Sequence, residues 1–180
     1  EPPDEQRRGG TGEHDEAVAR AQDWASQPGQ HIVTLADADY PQALLDIPDP
    51  PTLLYVRGRR ELLNRPALAI VGSRHPTPQG LHNARLFAQA LAKAGLTIVS
   101  GLALGIDAAA HEGALACQGD TLAVIGTGSG RIYPARNRDL ALSIAERGCV
   151  ISEFPLGTPV AAGNFPRRNR LIAGLSQGTL

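Results

Sequence analysis

The residues best suited to chemistry sit where apolar runs end. The run Leu68-Ala69-Ile70-Val71 stops on Gly72-Ser73-Arg74, and Pro76 to Gly95 then shows helical spacing. This reads as a strand buried on both faces, a tight turn and a helix. At such a corner the unpaired backbone N–H groups of the turn and helix start favour an anion, and Arg74 adds a full positive charge. The corner is a candidate phosphate site; the plainer reading is the turn that any β-to-α connection needs. Ser100-Gly101 and Gly126-Thr127-Gly128-Ser129-Gly130 are further small-residue loops after apolar runs, and Ser152-Glu153 closes a fourth run. Phe165-Pro166-Arg167-Arg168-Asn169-Arg170 sets a ring beside three guanidiniums at a loop-to-helix junction. Single-stranded nucleic acid needs that combination, a face for base stacking and donors for the backbone.

Other chemistries fit less well. A dinucleotide site wants G-x-G-x-x-G after the first strand and an acidic residue ending the second; here the loop is Gly-Ser-Arg-His-Pro and the second strand ends on Ser100. There is no Walker A run and no G-x-S-x-G elbow. Asp107, Glu112 and Glu153 are the candidate carboxylates, with His111 four residues after Asp107. Asp107 and His111 share a helix face and can hydrogen-bond, as an acid–base pair or as a helix-stabilising pair lining the groove. Arg136 and Arg138, after Arg131, form a second basic cluster that also reads as a solvated helix face.

These loops need a scaffold that brings them together. From Leu68 onward apolar runs alternate with helical spacing: Leu96 to Val99, Ile106 to Cys117, Leu122 to Ile125, Pro134 to Arg147, Cys149 to Ser152 and Phe165 to Leu175. That alternation predicts an α/β, Rossmann-like, doubly wound and mostly parallel sheet, whose strand exits share one carboxyl edge. Upstream, residues 1–30 read as a flexible lead (Glu1 to Gly12) and a helix (His14 to Gln27) anchored by Trp24, stopped by Pro28-Gly29. Residues 31–66 hold two short strands, Ile32 to Leu35 and Leu53 to Val56, in an N-terminal extension on the main sheet, and 67–180 form the core.

The chain has 180 residues, 42% of them hydrophobic, enough for one sizeable core. Its formal net charge is −1, so a nucleic-acid site must come from local clusters and not from a global basic field. Cys117 and Cys149 lack CxxC spacing and read as reduced core thiols, which points to an intracellular, cytoplasmic setting. No apolar run is long enough for a membrane span. No catalytic residue, metal or cofactor is expected.

Gly72-Ser73-Arg74, Ser100-Gly101-Leu102-Ala103-Leu104-Gly105-Ile106-Asp107 with His111, Gly126-Thr127-Gly128, Tyr133-Pro134 with Asn137, Ser152-Glu153, and Phe165 through Ile172 followed by Gly174-Leu175-Ser176 resemble the DNA-processing protein A family (DprA, also called Smf) in order and spacing. The upstream Asp39-Tyr40-Pro41, Pro50-Pro51 and Leu53-Leu54-Tyr55 with Gly58 resemble its lead-in. The resemblance implies an extended Rossmann-like domain that binds single-stranded DNA without sequence preference, protects incoming strands during natural transformation, loads the RecA recombinase, and forms a homodimer in the full-length protein. Carried over by position, it puts DNA contacts on Ser73, Arg74, the Gly101 loop, Gly126, Asn164, Phe165, Arg167 and Arg170, to which the loop and cluster readings above add Gly72, Ser100 and Arg168. Many members have a lysine after the Tyr-Pro pair; here that position is Ala135, so the contact shifts to Arg136 or Arg138, or is absent. Members also continue past the point where this chain stops. The expectation is therefore an incomplete C-terminal part, with no strand after the last helix and an unfinished sheet edge, that keeps the DNA groove but not the dimer or RecA surfaces. The alternative function is a hydrolase of a nucleotide-type ligand on a related fold, with Glu153 as its carboxylate.

Overall fold

The computed structural model describes residues 8–130 and 132–180, the side chains of residues 8–11 excepted. The expected flexible lead lies partly outside that range, as does Arg131; from Arg8 onward the backbone is already helical, so the first helix, α1 (Arg8–Ala25), starts earlier than its apolar spacing indicates. Trp24 packs edge-on against the Tyr55 ring, centroids 5.5 Å apart, which is the anchoring role expected of it.

Six strands form one sheet in the order β1-β2-β6-β5-β4-β3: β1 (Gln30–Thr34), β2 (Leu53–Gly58), β3 (Ala67–Ala69), β4 (Thr97–Ser100), β5 (Thr121–Val124) and β6 (Cys149–Ser152). The pairs β3–β4, β4–β5 and β5–β6 are parallel; β1–β2 and β2–β6 are antiparallel. The two N-terminal strands thus extend the sheet edgewise, while the short 3-10 turns Gln42–Asp46 and Arg60–Asn64 that accompany them cover part of one face. The central strands are buried along their whole length, as continuous apolar runs between two layers should be.

Four helices complete the core: α2 (Pro78–Lys93), α3 (Ile106–Ala116), α4 (Arg138–Arg147) and α5 (Asn164–Gly174). Ala88, Ala92, Ala110, Ala114, Ala141 and Ile144 cover the face presented by Ile70, Ile98, Ala123 and Val150. Leu171, Ile172 and Leu175 cover the opposite face, with Val99, Leu122, Val124 and Ile151. α2 begins cleanly because Thr77 Oγ1 accepts from Gly80 N at 3.1 Å and Pro78 occupies the first turn. It approaches α3 closely where Gly113 faces Arg85 and Ala88, a spot with no room for a Cβ.

One expectation is corrected here. A strand-like segment does follow the last helix: Gln177 N, Ala69 N, Leu180 N and Val71 N exchange backbone hydrogen bonds across residues 177–180 and β3, with Ala69 and Thr179 in a parallel bridge. Gln-Gly-Thr-Leu carries no apolar run, so pairing with β3 and not strand propensity creates it. The chain crosses from β6 over the α5 face to reach the far side of β3. The direction of winding therefore reverses between β3 and residues 177–180, the place where doubly wound sheets open a crevice.

Candidate nucleic-acid interface

The carboxyl edge of the four parallel strands holds two adjoining cavities. One, of about 340 Å³, lies at the winding reversal and is lined by Gly72, Arg74, Asp107, Arg168, Asn169 and Thr179 among others. The second, about 70 Å³, lies between the β4 and β5 exit loops and is lined by Gly101, Ala103, Leu104, Gly126, Tyr133 and Phe165. Arg74, Ala103 and Arg168 line both, so the two make one groove.

The corner after β3 is fixed by its neighbours. Ser73 O accepts from Ile106 N at 3.1 Å, and Ser73 Oγ accepts from His75 N at 3.0 Å. Gly105, at φ 83°, sits against the Ser73 carbonyl, and Gly72 sits against the Ile106 side chain, where a Cβ would come within 2.8 Å. Only residues without a Cβ let the β3 corner and the start of α3 touch this way. The result holds Arg74 exposed, its guanidinium carbon 5.2 Å from the Phe165 ring centroid. On another side of Phe165 the Tyr133 ring lies 6.1 Å away, tilted by 46°. A cation and two rings thus cluster at the mouth between the loops.

The loop after β4 is held from three directions. Asp107 Oδ2 accepts from Gly101 N at 3.1 Å and Ala103 N at 3.4 Å. Asn137 Nδ2 donates to Leu102 O and Ala103 O at 2.9 and 3.2 Å. Arg168 Nη1 donates to Gly101 O and also to Val124 O, the latter at 2.5 Å. Asn164 Nδ2 donates to Gly126 O at 3.0 Å, and Ser152 Oγ donates to Thr127 O at 2.6 Å, fixing the loop after β5. Burial pushes the Asp107 carboxyl up, against the lowering pull of its backbone donors and of the nearby Arg168 charge. Burial likewise lowers Arg168, with Asp107 opposing and Arg74 assisting the shift.

Of the sequence-predicted residues, Gly72, Ser73, Arg74, Gly101, Gly126, Asn164 and Phe165 meet at this groove, Ser73 at the exposed corner and Asn164 behind the Gly126 loop. Several do not present a donor to it. Ser100 is fully buried, its hydroxyl donating to Ile70 O at 2.6 Å. Arg168 is 4% exposed and forms the floor between the two cavities. Arg170 and Glu153 pair at 2.6 Å and line a separate cavity of about 440 Å³ with Asp49 and Pro50, on the other side of the start of α5. Arg167 lines that separate cavity too, 3.4 Å from Glu153 and 5.7 Å from the Phe154 ring, yet its side chain is 60% exposed. Arg136 and Arg138 are exposed and line neither groove cavity, although the adjacent Tyr133 and Pro134 line one of them.

The expected Asp107–His111 contact is also corrected. His111 is fully buried behind β4 and β5, with Nδ1 2.7 Å from Thr121 Oγ1. That hydroxyl donates to Ile98 O, so it must accept from His111, which fixes the proton on Nδ1 and leaves Nε2 without a partner among the described residues. Burial holds the imidazole neutral, its pKa lowered to about 3. The residues that sequence reasoning undervalued are Tyr133, Asn137 and Asp107, a groove wall and two loop anchors.

The family model described as DNA recombination-mediator protein A matches residues 31–180. Protein Smf of Synechocystis is 49% identical over 158 residues, covering 86% of this chain and 40% of that protein; Protein Smf of Escherichia coli is 46% identical, covering 87% and 42%. The chain thus spans well under two thirds of the length of these relatives. The solved structure of DNA processing protein A from Streptococcus pneumoniae superposes with a TM-score of 0.83 at 40% identity, covering 92% of this chain and 56% of that one. That of Helicobacter pylori, described with a single-stranded DNA binding mode, gives 0.75 at 37% identity, covering 82% and 67%.

Proposed function

The chain belongs to the DNA recombination-mediator protein A family, and on that premise we propose that it binds single-stranded DNA in the groove at the carboxyl edge of its sheet. The observation that carries the reading is the cluster at the groove mouth: the Phe165 ring flanked by the Arg74 guanidinium and the Tyr133 ring, beside two glycine loops. Aromatic faces stack unpaired bases whatever their identity, and Arg74 with the turn amides suits the backbone phosphates, so binding is without sequence preference. Among the described residues the groove offers no projecting helix or ribbon for a duplex major groove.

The hydrolase reading loses support from the same geometry. Glu153, its carboxylate, is turned away from the groove and ion-paired to Arg170 and Arg167. His111 lies inside the core. For the full-length protein, loading of RecA, homodimerisation, a role in natural transformation and a cytoplasmic setting belong to the same proposal, on the strength of family membership; RecA filament assembly and light scattering, run on this chain and on a longer one, test the two partners. Among the described residues no helix is long and apolar enough to cross a membrane.

The direct test is the affinity for fluorescent oligothymidine by anisotropy. Phe165→Ala should weaken it by about 1–3 kcal/mol, the value of one stacked base. Unchanged affinity in that variant removes the stacking role, and no binding by the unaltered protein removes the function.

A further inference from the structure

We propose that Arg168 is not a phosphate contact but a positioning residue, one that ties the two glycine loops of the groove to α5 and so sets their separation; this rests on the single-stranded DNA reading above. Its guanidinium is buried, and a single nitrogen, Nη1, serves the carbonyls of both Gly101, after β4, and Val124, at the end of β5. Nε donates to Asn169 Oδ1 at 3.1 Å. The carboxylate of Asp107, which holds the Gly101 and Ala103 amides, offsets the buried charge.

A second observation supports the assignment independently. A Cβ built on Gly101 would fall on Arg168 Nη1, Cζ and Nη2. Gly101 is therefore glycine because the guanidinium occupies the space a side chain would need, and not because of its own backbone angles: its φ is not among the positive values, whereas that of Gly105 is. The loop and the arginine are fitted to one another. Because Phe165 lies one turn before Arg168 on the same helix, the stacking ring and the pin move as one body with the loops. A single planar donor that reaches two carbonyls fixes a distance, which a flexible ammonium does not.

The test separates a charge that touches phosphate from a charge that holds loops. Salt dependence of oligothymidine binding is measured for Arg168→Gln, Arg168→Lys and Gly101→Ala, with Arg74→Ala as the phosphate-contact comparison. A lost phosphate contact lowers the slope of log K against log salt by about 0.7 for single strands. Positioning predicts weaker binding by about tenfold in all three variants, the effect of one misplaced buried donor, with the slope unchanged and no rescue by lysine. Hydrogen exchange of the 101–105 amides, measured without DNA, should quicken in the same three variants and stay slow in Arg74→Ala. The proposal is overturned if Arg168→Gln flattens the slope as Arg74→Ala does, if lysine restores full affinity, or if exchange at 101–105 is unchanged. Should the unaltered protein bind no single strand, the function above fails, and the exchange experiment still decides the role of Arg168. If Arg168→Gln does not fold, Gly101→Ala, which keeps the arginine, decides it.

Discussion

Arg74→Ala should weaken oligothymidine binding and flatten its salt dependence, and the structure says by how much relative to the other arginines. Arg74 is exposed, faces the groove, and has no carboxylate within ion-pair distance among the described residues, its neighbour being the Phe165 ring. Its charge is therefore free to displace a counterion from a phosphate. Removing one such contact changes the slope by about 0.7 for single strands, which between 50 and 200 mM salt amounts to a factor of about 2.6 in the loss of affinity. Arg170 is the opposite case: it is shared between Glu153 at 2.6 Å and Asp49 at 3.3 Å, so Arg170→Ala should leave the slope near that of the unaltered protein. Arg167, held loosely at 3.4 Å by Glu153, should fall between. The assay is anisotropy of a labelled oligothymidine across a salt series for the three variants. An unchanged slope in Arg74→Ala, or an equal flattening in Arg170→Ala, refutes the assignment of the free charge to Arg74.

Duplex of the same length should compete poorly with single strand for the groove, and Phe165→Ala should narrow the gap; equal competition at moderate salt contradicts a base-stacking site. His111 gives a pH signature. Its folded pKa of about 3 lies below the ordinary 6.5, so the unfolded chain takes up a proton first as pH falls, and stability is lost from about pH 6.5 down toward 3, by an upper bound on the order of 5 kcal/mol. Urea midpoints followed over that range should fall less steeply in His111→Gln, and an unaltered acid limb argues against a neutral buried imidazole. Gly105→Ala places a Cβ against the Ser73 carbonyl at φ 83° and ψ −124°, a region side chains avoid, costing about 1–3 kcal/mol from the backbone alone and loosening the corner; a melting temperature equal to that of the unaltered protein would contradict this.

Much of this layout was legible in the sequence because the parallel strands are short apolar runs that end on glycine or serine, and parallel strands must exit on one edge. That argument places Arg74, Gly101 and Gly126 together without any contact being known, and it also expects Glu153 there, which instead pairs with Arg170 beside a separate cavity. It fails on the arginines after Phe165, since a run of like charges does not say which way each points. The missing signal lay in the spacing: Arg168 falls on the same helical stripe as Leu171, Ile172 and Leu175, the buried face of α5, whereas Arg167 and Arg170 fall off it. His111 was misread for a related reason. It packs with Ala110 and Ala114 on the face that points into the sheet, whereas Asp107, one turn earlier, stands at the groove end of the helix. Residues 177–180 carried no strand signal at all, because their structure comes from the open edge of β3.

The central claim is that the DNA strand lies across the carboxyl edge between the β3 corner and the loops after β4 and β5. It is tested most directly by titrating oligothymidine into isotope-labelled protein and following backbone amide resonances. The account predicts that shifts concentrate at Gly72 to Arg74, Gly101 to Leu104, Gly126, Thr127 and Phe165. Shifts centred instead on the opposite end of the sheet, around Gln118 and Arg147, or spread along the outer edge of β1, would contradict it.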